Sequence, residues 1–169
     1  MNVKQLAAIE EKWLIKQRGL AGDREVLYEQ NGVYAAWREV FGQYVALARG
    51  GDLEALKRAL FFIWAECSIS HLITGIKDLG EEIIREAIGI ADKLVQGGGL
   101  DAEFTWMLPY YYLVEPLYLD CFEDLDALKQ ASRMNPFLYR QRCLDASFDH
   151  RGQMGEYWKA EQAHLRRWP

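Results

Sequence analysis

Apolar residues along this chain recur at helical intervals, which divide it into a series of amphipathic segments. Val3, Leu6, Ile9 and Trp13 form one stripe, with Leu14 at its edge and Ile15 off it. Asn2 is placed to cap that helix, and Gly19 and Gly22 to end it. A second helix is predicted after Asp23, with a break near Asn31-Gly32. Tyr34, Trp37, Phe41, Tyr44, Val45 and Ala48 carry a third as far as Arg49. Asp52 caps a fourth, striped by Leu53, Leu56, Leu60, Ile63, Trp64 and Cys67. Gly75 ends this helix or an irregular extension of it through Ile73.

A milder pattern over residues 81–96 turns Ile83, Ile84, Ala87, Ile88, Ala91, Leu94 and Val95 inward, and Gly97-Gly98-Gly99 reads as a flexible joint. Asp101 offers the next N-cap. Pro109 starts or kinks the following helix, and Pro116 within it would orphan the Tyr112 carbonyl and bend the axis. Residues 124–133 suggest a short helix, and Asn135-Pro136 opens another. A last helix follows Gly152 or Gly155 and carries Tyr157, Trp158 and Leu165. No run alternates as a strand does. The prediction is an all-α fold: one irregular helical bundle of about six to eight helices, a single domain over residues 1–169 with its joint at 97–99.

Two stretches, residues 60–76 and 104–122, are apolar on nearly all sides, which marks them as central helices of the bundle. They approach the length of a membrane span. Carboxylates in both, and two prolines and several tyrosines in the second, favour buried helices instead. Trp37, Val40 and Tyr44 loosely resemble the start of a tetratricopeptide unit. Phe41 stands where that pattern has glycine, however, and no second copy follows at the period of about 34 residues.

Composition narrows the function classes. Half of the 169 residues are hydrophobic, as in a globular domain with a sizeable core. A net charge of −5 argues against a nucleic-acid binder. No apolar leader follows Met1, and the odd, widely spaced set Cys67, Cys121 and Cys143 suits reduced thiols in the cytoplasm. There is no phosphate loop, GxGxxG, GxSxG or cysteine-nucleophile signature. No cofactor is expected.

Four groups of residues are candidates for chemistry. Glu66 shares a stripe with Phe62, Ile69, Ser70 and Ile73. It is either a general acid or base with a burial-raised pKa, or a structural carboxylate held by an Arg, a tyrosine or a helix end. Glu115 has Tyr111, Tyr112 and Tyr118 one turn away, so these side chains form either an aromatic-lined pocket or simply core. Cys67 and His71 have a metal-chelating spacing but lack further ligands; a satisfied histidine, and no metal, is the expectation. Between residues 101 and 128 there is no Lys or Arg, while Asp120, Glu123, Asp124 and Asp126 cluster. That corner either attracts a basic partner or is solvated surface. The leading expectation is a cytoplasmic, non-enzymatic protein-binding module, an adaptor or immunity-type inhibitor, with no nucleic acid or membrane as partner. The alternatives are a small-molecule binder or enzyme using the two buried carboxylates, and a homo-oligomer joined through surplus aromatic surface.

Overall fold

The computed structural model describes residues 1–134 and 139–167, which form eleven α-helices and no strand. The all-α expectation holds. The helices are α1 (Val3–Arg18), α2 (Arg24–Gln30), α3 (Val33–Arg49), α4 (Leu53–Ser68), α5 (His71–Thr74), α6 (Glu81–Gln96), α7 (Phe104–Val114), α8 (Leu117–Asp120), α9 (Asp126–Ser132), α10 (Tyr139–Asp145) and α11 (Gly152–Arg167). Their number exceeds the six to eight read from the pattern because α5 and α8 are single turns and α2, α9 and α10 have only seven residues each, too short to show a clear period. The proposed Asn135-Pro136 helix start lies outside the described residues.

α4 is the axis of the fold. It packs against α3, α6, α7, α8 and α11, and every residue from Ala55 to Ala65 is buried. α7 is the second apolar helix and packs on α4, α8, α9 and α10. Between them lies an aromatic core. Trp64 stacks on Tyr111 with centroids 4.9 Å apart, meets Tyr157 edge-on at 4.9 Å, and Trp158 packs 4.7 Å from Tyr110. Large rings bury the most area per residue, so this cluster is a main source of hydrophobic stabilisation.

Several helix starts match local signals. Asn2 and Gln5 form a reciprocal capping box on α1, Asp23 accepts from Glu25 and Val26, and Asp52 accepts from Ala55. The apolar run at residues 60–76 divides sooner than the pattern implied. Ile69 is extended at φ −124° and ψ 134°, Ser70 caps α5, and Gly75, at φ 71°, closes it. A Cβ at Gly75 would come within 2.6 Å of the Trp37 indole nitrogen, so glycine is required there for space as well as conformation.

Pro116 does not bend a continuous helix. α7 stops at Val114, Glu115 leaves helical geometry at φ −145°, and Pro116 stands at the start of α8, where its missing N–H costs nothing. Cys67, counted on the inward stripe of α4, is exposed. The glycine run folds back on α6, with Gly98 and Gly99 donating to the carbonyls of Val95 and Leu94.

The buried face of α1 also differs. It runs through Leu6, Glu10, Leu14 and Gln17, whereas Trp13 is half-buried and Ile15 exposed. The true stripe has the expected helical spacing, but two of its four members are polar, so an apolar pattern misplaces it.

Candidate functional site

The carboxylates singled out by the pattern each hold a backbone N–H. Glu66 is half-buried, which raises its pKa, and it accepts from the Leu79 N–H at 2.9 Å. Glu115 is half-buried and accepts from Leu117 at 3.1 Å. The neighbouring phenols turn elsewhere. Tyr111 accepts from the Trp158 indole at 3.1 Å, Tyr112 donates to Asp120 at 2.9 Å, and Tyr118 is buried in the core. None of these five side chains lines the grooves and clefts described below.

Cys67 and His71 are not on one helical face, because α4 ends between them. His71 instead places Nε2 2.6 Å from Glu25, which also takes Lys77 at 2.7 Å and the Tyr34 hydroxyl. Those donors, Lys77 first, hold the Glu25 carboxyl down at about 2. Desolvation pushes the Cys67 thiol up to about 11 and the buried Cys143 thiol up to about 12, away from the low pKa of reactive thiolates. Among the described residues, no three His, Cys, Asp or Glu side chains are grouped to hold a metal ion, and no helix is long and apolar enough to cross a membrane.

The acidic corner runs from the end of α8, at Asp120, through the loop carrying Glu123 and Asp124 to the start of α9, at Asp126. Asp120 is engaged by Tyr112 and by Arg133 at 3.4 Å, whereas Glu123, Asp124 and Asp126 are exposed and make no ion pair among the described residues. Asp124 has φ 48°, a left-handed conformation that Asp tolerates better than most residues. A groove of about 450 Å³ opens here, with Glu123 and Asp124 on one side and Arg85 and Ile88 of α6 on the other. Arg85 is already committed: it pairs with Glu81 at 2.8 Å and lies 5.2 Å from the Phe122 ring. Beside the corner in sequence, Leu113, Val114 and Leu117 are 54%, 48% and 65% exposed. Leu117 and Asp120 are three apart on α8, with Tyr118 and Leu119 buried between them, so an apolar and an acidic group share its outer face.

The most heavily built polar site was not visible in the sequence. Glu10 is fully buried on α1; its Oε2 accepts from the Tyr44 hydroxyl at 2.5 Å and its Oε1 from the Gln153 N–H at 2.7 Å. Arg58 is 4% exposed and lies 3.5 Å from that carboxylate. It donates to Tyr44 at 2.9 Å, Glu54 at 2.8 Å and the His150 carbonyl at 3.1 Å. Glu54 also binds Arg151, Arg151 reaches Glu103 at 2.6 Å, and Glu103 shares Lys57 with Asp101.

Burial pushes Glu10 up to about 7, against the bonds from Tyr44 and Gln153. Glu103 is also raised by burial, but its bonds to Arg151 and Lys57 hold it below the ordinary range. A cleft of about 720 Å³ lies over this network, walled by Val3, Ala7 and Ala8 of α1 and floored by Glu54, Arg58 and Arg151. The two floor guanidiniums share Glu54, and Arg151 also pairs with Glu103 and Arg58 with Glu10, which is how a structural ion network satisfies buried charge. The only sequence signal for this site would have been the helical register of Glu10 with Leu6, Leu14 and Gln17.

No protein-family model, curated protein or solved structure matches this chain.

Proposed function

We propose that this chain is a non-enzymatic protein-binding module, of the adaptor or immunity-inhibitor kind, whose acidic corner receives a basic partner. The supporting observation is the groove at Glu123 and Asp124, whose carboxylates have no cation of their own among the described residues. A lysine or arginine of the partner enters the groove beside these acids and makes charge-assisted hydrogen bonds with them. Clustered acids also speed encounter with a basic surface. The exposed Leu113, Val114 and Leu117 add the apolar contact that charge alone does not supply. The interior acids support the same reading indirectly: Glu66 and Glu115 are occupied by backbone N–H groups, a structural use.

Peptide-display selection tests this against the wild-type chain and a Glu123→Lys, Asp124→Lys, Asp126→Lys variant. All three positions are exposed, but Lys is less suited than Asp to the left-handed backbone at residue 124 and to the first turn of α9, so urea denaturation is used to establish that the variant is folded under the selection conditions. Enriched peptides should combine Lys or Arg with aliphatic residues and should lose binding to the variant. Selected peptides without basic residues, or with equal affinity for both proteins, would contradict the proposal.

A further inference from the structure

A third, smaller cavity, of about 340 Å³, lies where α1, α5 and α11 meet. Its volume is within the range of small-molecule sites. Phe61 and Tyr157 line it with their rings 5.7 Å apart, backed by Trp64, and Leu14, Ile69 and Ile73 add aliphatic walls. Two buried glutamines supply the polar groups. Gln17 is used at both ends: Nε2 donates to the Ile73 carbonyl at 2.7 Å and Oε1 accepts from the Trp37 indole at 3.0 Å. Gln153, 7% exposed, donates Nε2 to the Thr74 carbonyl at 2.8 Å, but its Oε1 accepts nothing among the described residues. A carboxamide oxygen with an open lone pair is therefore fixed in the wall, held by a donor that sets which end faces where.

Charge at the cavity is unbalanced. Arg18 is paired with Glu156. Arg24 also lines the cavity; it donates to the Leu72 carbonyl at 3.0 Å and makes no ion pair among the described residues. Arg24 is thus an exposed guanidinium at the cavity with no carboxylate partner among the described residues. A half-open, mostly apolar and partly aromatic wall, a fixed acceptor and an unpaired guanidinium at its edge together select one kind of occupant.

We propose that this cavity binds a small organic anion: an aromatic or aliphatic body against Phe61, Tyr157 and Ile73, an N–H or O–H donor on Gln153 Oε1, and the acidic group on Arg24. It is independent of the acidic corner, which takes a cation and shares no lining residue with it.

The probe is 8-anilinonaphthalene-1-sulfonate, which carries an aromatic body, an N–H and an anion. N-phenyl-1-naphthylamine, the same body without the sulfonate, is its neutral counterpart. The native protein should bind the sulfonate 1:1, with enhanced, blue-shifted emission. Arg24→Ala should weaken the sulfonate by about tenfold, the worth of one charged hydrogen bond, and leave the neutral probe within about twofold. Ile73→Trp, at an already exposed position, should fill the cavity and remove both probes. Ala8→Trp, in the wider cleft over Arg58, should change neither. Unchanged urea midpoints establish that each variant is folded. The proposal is overturned if the native protein does not bind the sulfonate, if binding survives Ile73→Trp, if Ala8→Trp removes it, or if Arg24→Ala weakens both probes alike.

Discussion

Glu10 of α1 accepts the backbone N–H of Gln153, 143 residues further along the chain, at 2.7 Å. That N–H belongs to the first turn of α11, where backbone donors have no partner within the helix. A carboxylate from the first helix therefore caps the last one, and Tyr44 and Arg58 hold it in place. Gly152, at φ 56°, makes the approach achievable, since a Cβ there would come within 2.0 Å of the Glu10 carboxyl carbon. Gly152→Ala should destabilise the protein by about 2 kcal/mol or more, from both the left-handed backbone and the clash. Urea denaturation checks this. In Glu10→Ala the same glycine change should cost clearly less, because the clashing partner is gone; equal costs in the two backgrounds would refute the coupling.

The same carboxylate makes stability pH-dependent. Burial raises Glu10 from 4.5 to about 7, so between those values the folded protein binds more protons than the unfolded chain. Stability from this group is complete below pH 4.5 and falls as pH rises through 7, by about 3 kcal/mol in all. Unfolding midpoints measured from pH 4.5 to 8 should fall more steeply with pH in the wild type than in Glu10→Gln. Parallel profiles would show that Glu10 does not titrate in this range.

Two buried tryptophans should respond differently to one substitution. The Trp37 indole N–H donates to Gln17, whereas the Trp64 N–H is buried without a partner among the described residues. Trp37→Phe strands the Gln17 oxygen; Trp64→Phe removes an unsatisfied donor. The first should cost about 1–2 kcal/mol more than the second. Thermal denaturation of the two variants gives the comparison.

Asp92 repeats the Glu10 arrangement on a smaller scale. It is 6% exposed on α6 and accepts the Leu128 N–H, in the first turn of α9, at 2.8 Å. Asp92→Ala should cost about 1–2 kcal/mol, as loss of a helix cap does. Hydrogen exchange should speed up at Leu128 and through α9, while α3 keeps its protection. Uniform acceleration across the fold would show that the effect is global rather than a local loss of the cap.

What the sequence disclosed and what it hid divide along the same line as local and distant bonding. Asn2, Asp23 and Asp52 cap helices that begin within three residues of them, and each was legible. The aromatic stripe of α3 and the all-round apolar run of α4 were legible too, because burial there follows hydrophobic spacing. Glu10, Gln17 and Asp92 were not. Their burial is offset by donors and acceptors that lie far away in sequence, and a pattern of apolar positions reads them as solvent-facing. The break at Ile69 was hidden for the opposite reason: an apolar run gives no sign that Ser70, rather than Gly75, interrupts it. The acidic corner was legible as charge, but the groove beside it depends on how α6 packs against the segment joining α8 to α9.

Binding at that corner is tested most directly by titrating the ¹⁵N-labelled protein with the most strongly enriched basic peptide and following its backbone amide shifts. Perturbations should concentrate over residues 113–126 and around Arg85, at the groove lined by Glu123 and Asp124. Shifts centred instead on the Arg58 cleft, or on the cavity beside Ile73 and Gln153, would contradict it.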